Sequence, residues 1–191
     1  MSKVGKPRRP GGRGWLMSGH ELPLVTAPDA RLEEPTRAVG EVDAEARGLI
    51  ADMVATMYAN GGCGLAAPQV GSDLRIFVMD VAWREGAKAT RRPKVFVNPR
   101  IASLDGETVP SEEGCLSFPD LRVRLPRASH VVVDALDEEG REFRFEARGD
   151  LAAMCVQHET DHLDGITMVD RLGPVAKARA MSEYKRTHTE T

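Results

Sequence analysis

Residues 158–162 read His-Glu-Thr-Asp-His. Two histidines four apart lie on one face of a helix, a turn apart, so His158 and His162 can reach a single metal ion together. Glu159, one step round, is badly aimed to be a ligand. It is well placed to take a proton from a water at the ion's open position. That is amide-hydrolysing chemistry, and its familiar users are metallopeptidases. A hydrolytic centre of this kind needs three protein ligands and one free position. Peptidases of that type draw the third ligand from downstream, as a glutamate or a further histidine. Beyond His162 this chain has only His188, Glu183 and Glu190 to offer, all in a polar tail. Upstream, Cys115 in "EEGCLSFP" is the better third donor. A thiolate and two imidazoles leave a fourth position free and suit iron, cobalt, nickel or zinc alike. With Fe(II) the thiolate also makes the centre oxygen-sensitive. Leu151, Met154 and Cys155 continue the histidine face toward the helix start, so they are expected to wall an apolar pocket beside the ion.

The elements that must position these groups follow from periodicity and punctuation. In "DAEARGLIADMVATMYANGG", Ala46, Leu49, Ile50, Met53, Val54 and Met57 recur at helical spacing. Asp43 is placed to cap that helix, and Asn60-Gly61 to stop it. "GCGLAAPQVG" reads as a loop, "LRIFVMDVA" as a strand buried on both faces, residues 83–93 as a polar loop, and "KVFVNP" as a short strand ended by Pro99. "LRVRL" and "HVVVDAL" read as strands, and "DEEG" turns the chain into "REFRFEA", a hairpin with one wet face. The histidine-bearing helix follows, capped by Asp150 and stopped near Gly165. "GPVAKARAMSEYKR" opens on Pro174 as one more helix. The expected fold is α+β in a single domain: antiparallel sheets surround a central metal-binding helix, with an N-terminal helix and a short C-terminal one. Residues 1–20 are expected as a mobile basic tail, 21–175 as the catalytic domain and 176–191 as the C-terminal helix and tail.

Bulk properties narrow the class. Of 191 residues, 41% are apolar and 29% charged, which fits a globular domain with one core. A net charge of −3 gives no basic footprint for direct nucleic-acid binding or for an anionic membrane. No apolar run approaches the roughly 18 residues that cross a bilayer. Three scattered cysteines argue against a disulfide framework and for a reducing compartment. The N-terminal segment lacks the apolar core of a secretory signal and the Ser-rich amphipathic pattern of a transit peptide. A bacterial-type cytoplasmic location is therefore expected rather than an organelle.

Three stretches, "GCGLAAPQVG" (62–71), "EGCLS" (113–117) and "QHETDHLDG" (157–165), resemble in content and order the three motifs of the peptide deformylase family. The resemblance covers roughly residues 20–175. It implies a hydrolase that removes the formyl group from the N-terminal formyl-methionine of nascent polypeptides and releases formate. It implies one divalent ion per chain, usually Fe(II) with zinc, nickel or cobalt as substitutes, held by Cys115, His158 and His162. By motif position a water activated by the ion is the nucleophile, and Glu159 is the general acid/base. Gln69 and the backbone N–H of Leu116 receive the oxyanion.

By position too, Leu151, Met154 and Cys155 line the methionine pocket, and Cys63 and Gly64 border the bound peptide. Arg122 meets the peptide further along. Glu113 braces its loop or touches the peptide backbone, and Asp161 pairs with an arginine such as Arg127. Some relatives dock on the ribosome by a basic C-terminal helix, and here that segment carries Lys177, Arg179, Lys185 and Arg186. One position departs from the family: a branched apolar residue is usual where this chain has Cys63. The thiol is read as a substitute for that side chain, with oxidation or approach to the ion as its other uses. Two rival readings remain, a metallopeptidase and a non-catalytic metal-binding or redox-sensing module. The missing downstream ligand opposes the first. Glu159 and Gln69 oppose the second, since sensing needs neither.

Overall fold

Alternation along one short strand organises the molecule. In a computed structural model, which describes residues 13–83, 91–149 and 151–188, Ile76–Met79 forms strand β2 and all of it is buried. Ile76 and Val78 face one way, into a cluster with Ile50, Met53, Val54 and Met57 of helix α1, Ala44–Ala59. Phe77 and Met79 face the other way, into a cluster with Ala153, Cys155 and Val156 of helix α2, Leu151–Leu163. A strand covered on both faces must be apolar at every position, which explains its unbroken run.

The sheet has five strands in the order β1 to β5, each antiparallel to the next. They are β1 (Gly64–Ala66), β2, β3 (Lys94–Cys115), β4 (Phe118–Leu136) and β5 (Glu142–Arg148). Phe77 and Phe96 stack at 4.3 Å between centroids at the centre of the α2 side. Helix α3, Pro174–His188, buries Tyr184 against Phe118 of β4. No helix among the described residues is long and apolar enough to cross a membrane.

Helix α1 starts and stops where expected. The Asp43 carboxylate accepts from the Ala46 N–H, and Gly61 turns the chain at φ +69°. Three expectations give way. "GCGLAAPQVG" is not all loop: its centre is β1, followed by a 3-10 turn, Ala67–Val70, that presents Gln69. "KVFVNP" does not end at Pro99. Asn98 takes φ +51°, the register shifts between Val97 and Arg100, and β3 runs on to Cys115. "LRVRL" and "HVVVDAL" are one strand, β4, in which Pro126 faces Pro110. Each proline lacks the ladder N–H, and placing them opposite each other confines the loss to one rung.

Of the expected mobile tail 1–20, residues 13–20 are packed. Arg13–Met17 forms a 3-10 turn, Leu16 is buried, and Gly19 lies so close to the α1 backbone that a Cβ would sit 2.1 Å from Ala51. The apolar Leu16 holds this segment, which the basic composition hides. Residues 1–12, residues 84–90 of the polar loop, and the expected cap Asp150 lie outside the described residues.

Candidate metal centre

Helix α2 is an unusual core helix. Eleven of its 13 residues are buried, and six consecutive buried ones, Gln157 to His162, are polar or charged. A buried polar group without a partner is costly, so each must be matched. Gln157 bonds the backbone of Ala128 in both directions, at 3.2 and 2.9 Å. The Thr160 hydroxyl donates to the Val156 carbonyl at 2.7 Å. Asp161 accepts from Arg127 at 2.6 Å and from Arg171. His158 Nδ1 meets Glu113 Oε2 at 2.8 Å. Two atoms of the run have no partner: Glu159 Oε2 and His162 Nδ1.

Cys115 arrives from the sheet. It ends β3, and the two-residue turn Leu116-Ser117 leads straight into β4, with Cys115 paired to Phe118. This turn sets the thiol 3.1 Å from His162 Nε2. The imidazoles of His158 and His162 stand edge to face, centroids 4.9 Å apart. One donor atom each from Cys115, His158 and His162 lies within 4.8 Å of the others. Soft sulfur plus two imidazoles is a donor set for a divalent transition metal. Glu113, by holding Nδ1 of His158, leaves the other ring nitrogen for the ion.

Electrostatics match that use. Burial alone would push the Cys115 thiol up, but the charges and hydrogen bonds of His162 and His158 hold it well below its ordinary range. Burial opposes protonation of His158, yet Cys115 and Glu113 raise it well above the usual imidazole range. Both shifts favour the charge-separated pair, thiolate with imidazolium. Burial pushes Glu159 up to about 8, against the pull of His158. Burial opposes charge on Glu113 as well, but Arg127 and His158 bring it down to about 2. Arg127 bridges Glu113, at 2.7 and 2.9 Å, to Asp161.

A cleft of about 670 Å³ opens on this centre. Gln69 reaches in from the 3-10 turn. Its Oε1 accepts from the Ala66 N–H at 2.8 Å, which fixes the amide so that Nε2 points at Cys115 Sγ, 3.3 Å, and Ser117 Oγ, 3.2 Å. Leu116 and Glu159 also line the cleft. Gly64 passes so close to α2 that a Cβ would lie 2.3 Å from Glu159 Oε1 and 2.7 Å from Cys155 Sγ. On the apolar side Cys155 is deepest and Met154 intermediate, while Leu151, 55% exposed, forms the rim. Cys63 borders the same wall. Arg122 is exposed and lies over Gly114, its guanidinium 3.2 Å from where a Cβ would stand.

Glu113, expected to brace its loop or touch the peptide backbone, pairs with Arg127 and His158. Its oxygens accept from Arg127 at 2.7 and 2.9 Å and meet His158 Nδ1 at 2.8 Å. Two contributors escaped sequence reasoning. Ser117, which contacts Gln69 and donates its N–H toward Cys115 Sγ at 3.4 Å, stood inside the "EGCLS" motif. Arg171, which completes the pairing of Asp161, lies beyond the helix and carried no local signal.

Residues 21–178 match the family model for polypeptide deformylase. The chain is similar to the peptide deformylase of Neisseria meningitidis serogroup B, 44% identical over 170 residues, covering 89% of this chain and 98% of that one. It is similar to that of Acinetobacter baumannii, 42% identical over 165 residues, covering 86% and 90%. Among solved structures, the Ehrlichia chaffeensis peptide deformylase in complex with actinonin superposes with a TM-score of 0.81 at 38% identity, covering 90% of this chain and 99% of that one.

Proposed function

The chain belongs to the polypeptide deformylase family, and from that premise we propose how its own residues remove the formyl group from the N-terminal formyl-methionine of nascent polypeptides and release formate. Cys115, His158 and His162 hold one divalent ion. The ion is Fe(II), and zinc, nickel or cobalt enters the same donor set. When bound, such an ion supplies an activated water near neutral pH.

The chain's residues do the rest. Glu159 takes the proton at its free Oε2 and returns it to the leaving amine nitrogen. An ion nearby opposes the burial that raises Glu159 and keeps the carboxylate ready to accept. Gln69 Nε2 and the Leu116 N–H donate to the oxygen on which charge develops. Gln69 Nε2 lies 3.3 Å from Cys115 Sγ, and Leu116 lines the same cleft. Strand β1 is an edge of the sheet, so an extended peptide can pair along Gly64 as an added strand. The methionine side chain enters between Leu151, Met154, Cys155 and Cys63, and Arg122 meets the peptide beyond it. Glu113 acts through His158.

The observation that carries this reading is Glu159 Oε2, buried without a hydrogen-bond partner among the described residues beside three converging metal donors. The test is metal analysis and formate release from a formyl-Met peptide on one anaerobic sample. Iron-loaded protein is expected to release formate. Glu159→Gln is expected to keep its metal and lose about 10²–10⁴ in kcat. Absence of formate release, or cleavage inside an unformylated peptide, overturns the reading. The compartment that goes with this reading is a bacterial-type cytoplasm, where formylated chains are made. The exposed Arg179, Lys185 and Arg186 of α3 support docking on the ribosome near the tunnel exit. Salt-sensitive co-sedimentation with ribosomes that Arg179→Glu/Arg186→Glu abolishes is the expected result.

A further inference from the structure

Cys63 stands where a branched apolar residue is usual, and the reaction above gives its sulfur no chemical task. Its surroundings are specific. It is half-buried in the cleft wall, one residue before β1. From α2, the Cys155 thiol reaches the Cys63 carbonyl oxygen at 3.7 Å. No slack separates the two elements, since Gly64 lies against Cys155 so tightly that a Cβ would meet its sulfur at 2.7 Å. The third thiol, Cys115, is engaged elsewhere by His162, Gln69 and the Ser117 N–H. The chain thus holds two neighbouring cysteines on the cleft, one half-buried in its wall and one buried at its apolar end.

We propose that Cys63 and Cys155 form a site of oxidation by hydroperoxides, in which Cys63 reacts first from the cleft and Cys155 closes the pair into a disulfide. In the first step the Cys63 sulfur attacks the peroxide. An S–O bond forms, the O–O bond breaks, and the sulfenic acid results together with one water from hydrogen peroxide or one alcohol from an organic hydroperoxide. The sulfur gives up two electrons and the peroxide takes them. In the second step Cys155 displaces the hydroxyl. An S–S bond forms, the S–O bond breaks, and the Cys155 proton leaves with the hydroxyl as water. The disulfide ties β1 to α2, takes the Cys155 sulfur out of the apolar pocket, and ends its contact with Glu159 Oε1, now 4.0 Å away. Substrate is refused until a thiol reductant restores the pair. The loss of activity rests on the deformylase reading, whereas the thiol chemistry does not.

The test uses the full chain loaded with nickel, which keeps ferrous oxidation out. The protein is treated with hydrogen peroxide, quenched with catalase, alkylated and mapped by mass spectrometry without reduction. Formate release is followed before and after dithiothreitol. The expected product is a cross-linked peptide joining Cys63 to Cys155 and lacking two hydrogens. Activity is expected to fall in proportion to the cross-linked fraction and to return with it. In Cys63→Ser, compared with its own untreated sample, cross-link and reversible loss both disappear. Free alkylation of Cys63 and Cys155 after peroxide, or a disulfide to Cys115, overturns the proposal. A cross-link that leaves activity unchanged overturns the closure of the pocket. A cross-link in protein that never releases formate supports the oxidation site and refutes the deformylase reading.

Discussion

Glu159 has room in the cleft, and its Oε2 has no hydrogen-bond partner among the described residues. That room is made by Gly64, where the smallest side chain would strike the carboxylate. Gly64→Ala is therefore expected to displace Glu159 rather than unfold the strand. A fall in kcat of about 10²–10⁴ with metal content retained is the result to look for. Unchanged kcat would mean that the carboxylate can sit elsewhere. Glu113 acts one bond further out. Glu113→Gln weakens the hold on His158 Nδ1 and is expected to lower metal affinity about 10–100-fold, measured by competition with a chelator. Sequence spacing identified His158, Glu159 and His162 because a helix converts spacing into direction. It could not show that Glu113 serves His158, because that contact joins residues 45 positions apart.

Helix α2 is held by charge as much as by packing. Its apolar side meets Phe77, Phe96 and Val131, while Asp161 is anchored by Arg127 and Arg171. Removing the central cation leaves two buried carboxylates facing each other. Arg127→Met should cost about 3–5 kcal/mol in denaturant unfolding. Adding Asp161→Asn should recover part of that loss. Strict additivity of the two substitutions would show that the pair is not coupled. At this scale helices were more legible than strands. The caps and period of α1 are local, whereas β3 and β4 continue through prolines because each finds its partner across the sheet.

The whole molecule is a bent antiparallel sheet with α1 and α2 on opposite faces of β2, and its stability should carry the signature of the buried charges. Glu113 is held near 2 against an ordinary carboxyl near 4.5, so its stabilisation is complete above about 4.5. It is lost as pH falls toward 2, amounting to roughly 3 kcal/mol. The stability gap between wild-type protein and Glu113→Gln, both free of metal, is expected to shrink as pH falls from about 4.5 toward 2. A gap that does not change between pH 5 and pH 2 contradicts this assignment. Loading metal should release protons from the imidazolium of His158, visible as a buffer-dependent heat in calorimetry. By itself the sequence determined the reactive groups and the helices, because side-chain chemistry and helical period are local properties of the chain. Tertiary structure decided how those groups meet. It brought Cys115 to two histidines, spent Glu113 on bracing one of them, and set Cys63 beside Cys155. Those contacts depend on strand register and on how closely two backbones approach, and neither is encoded at any single position.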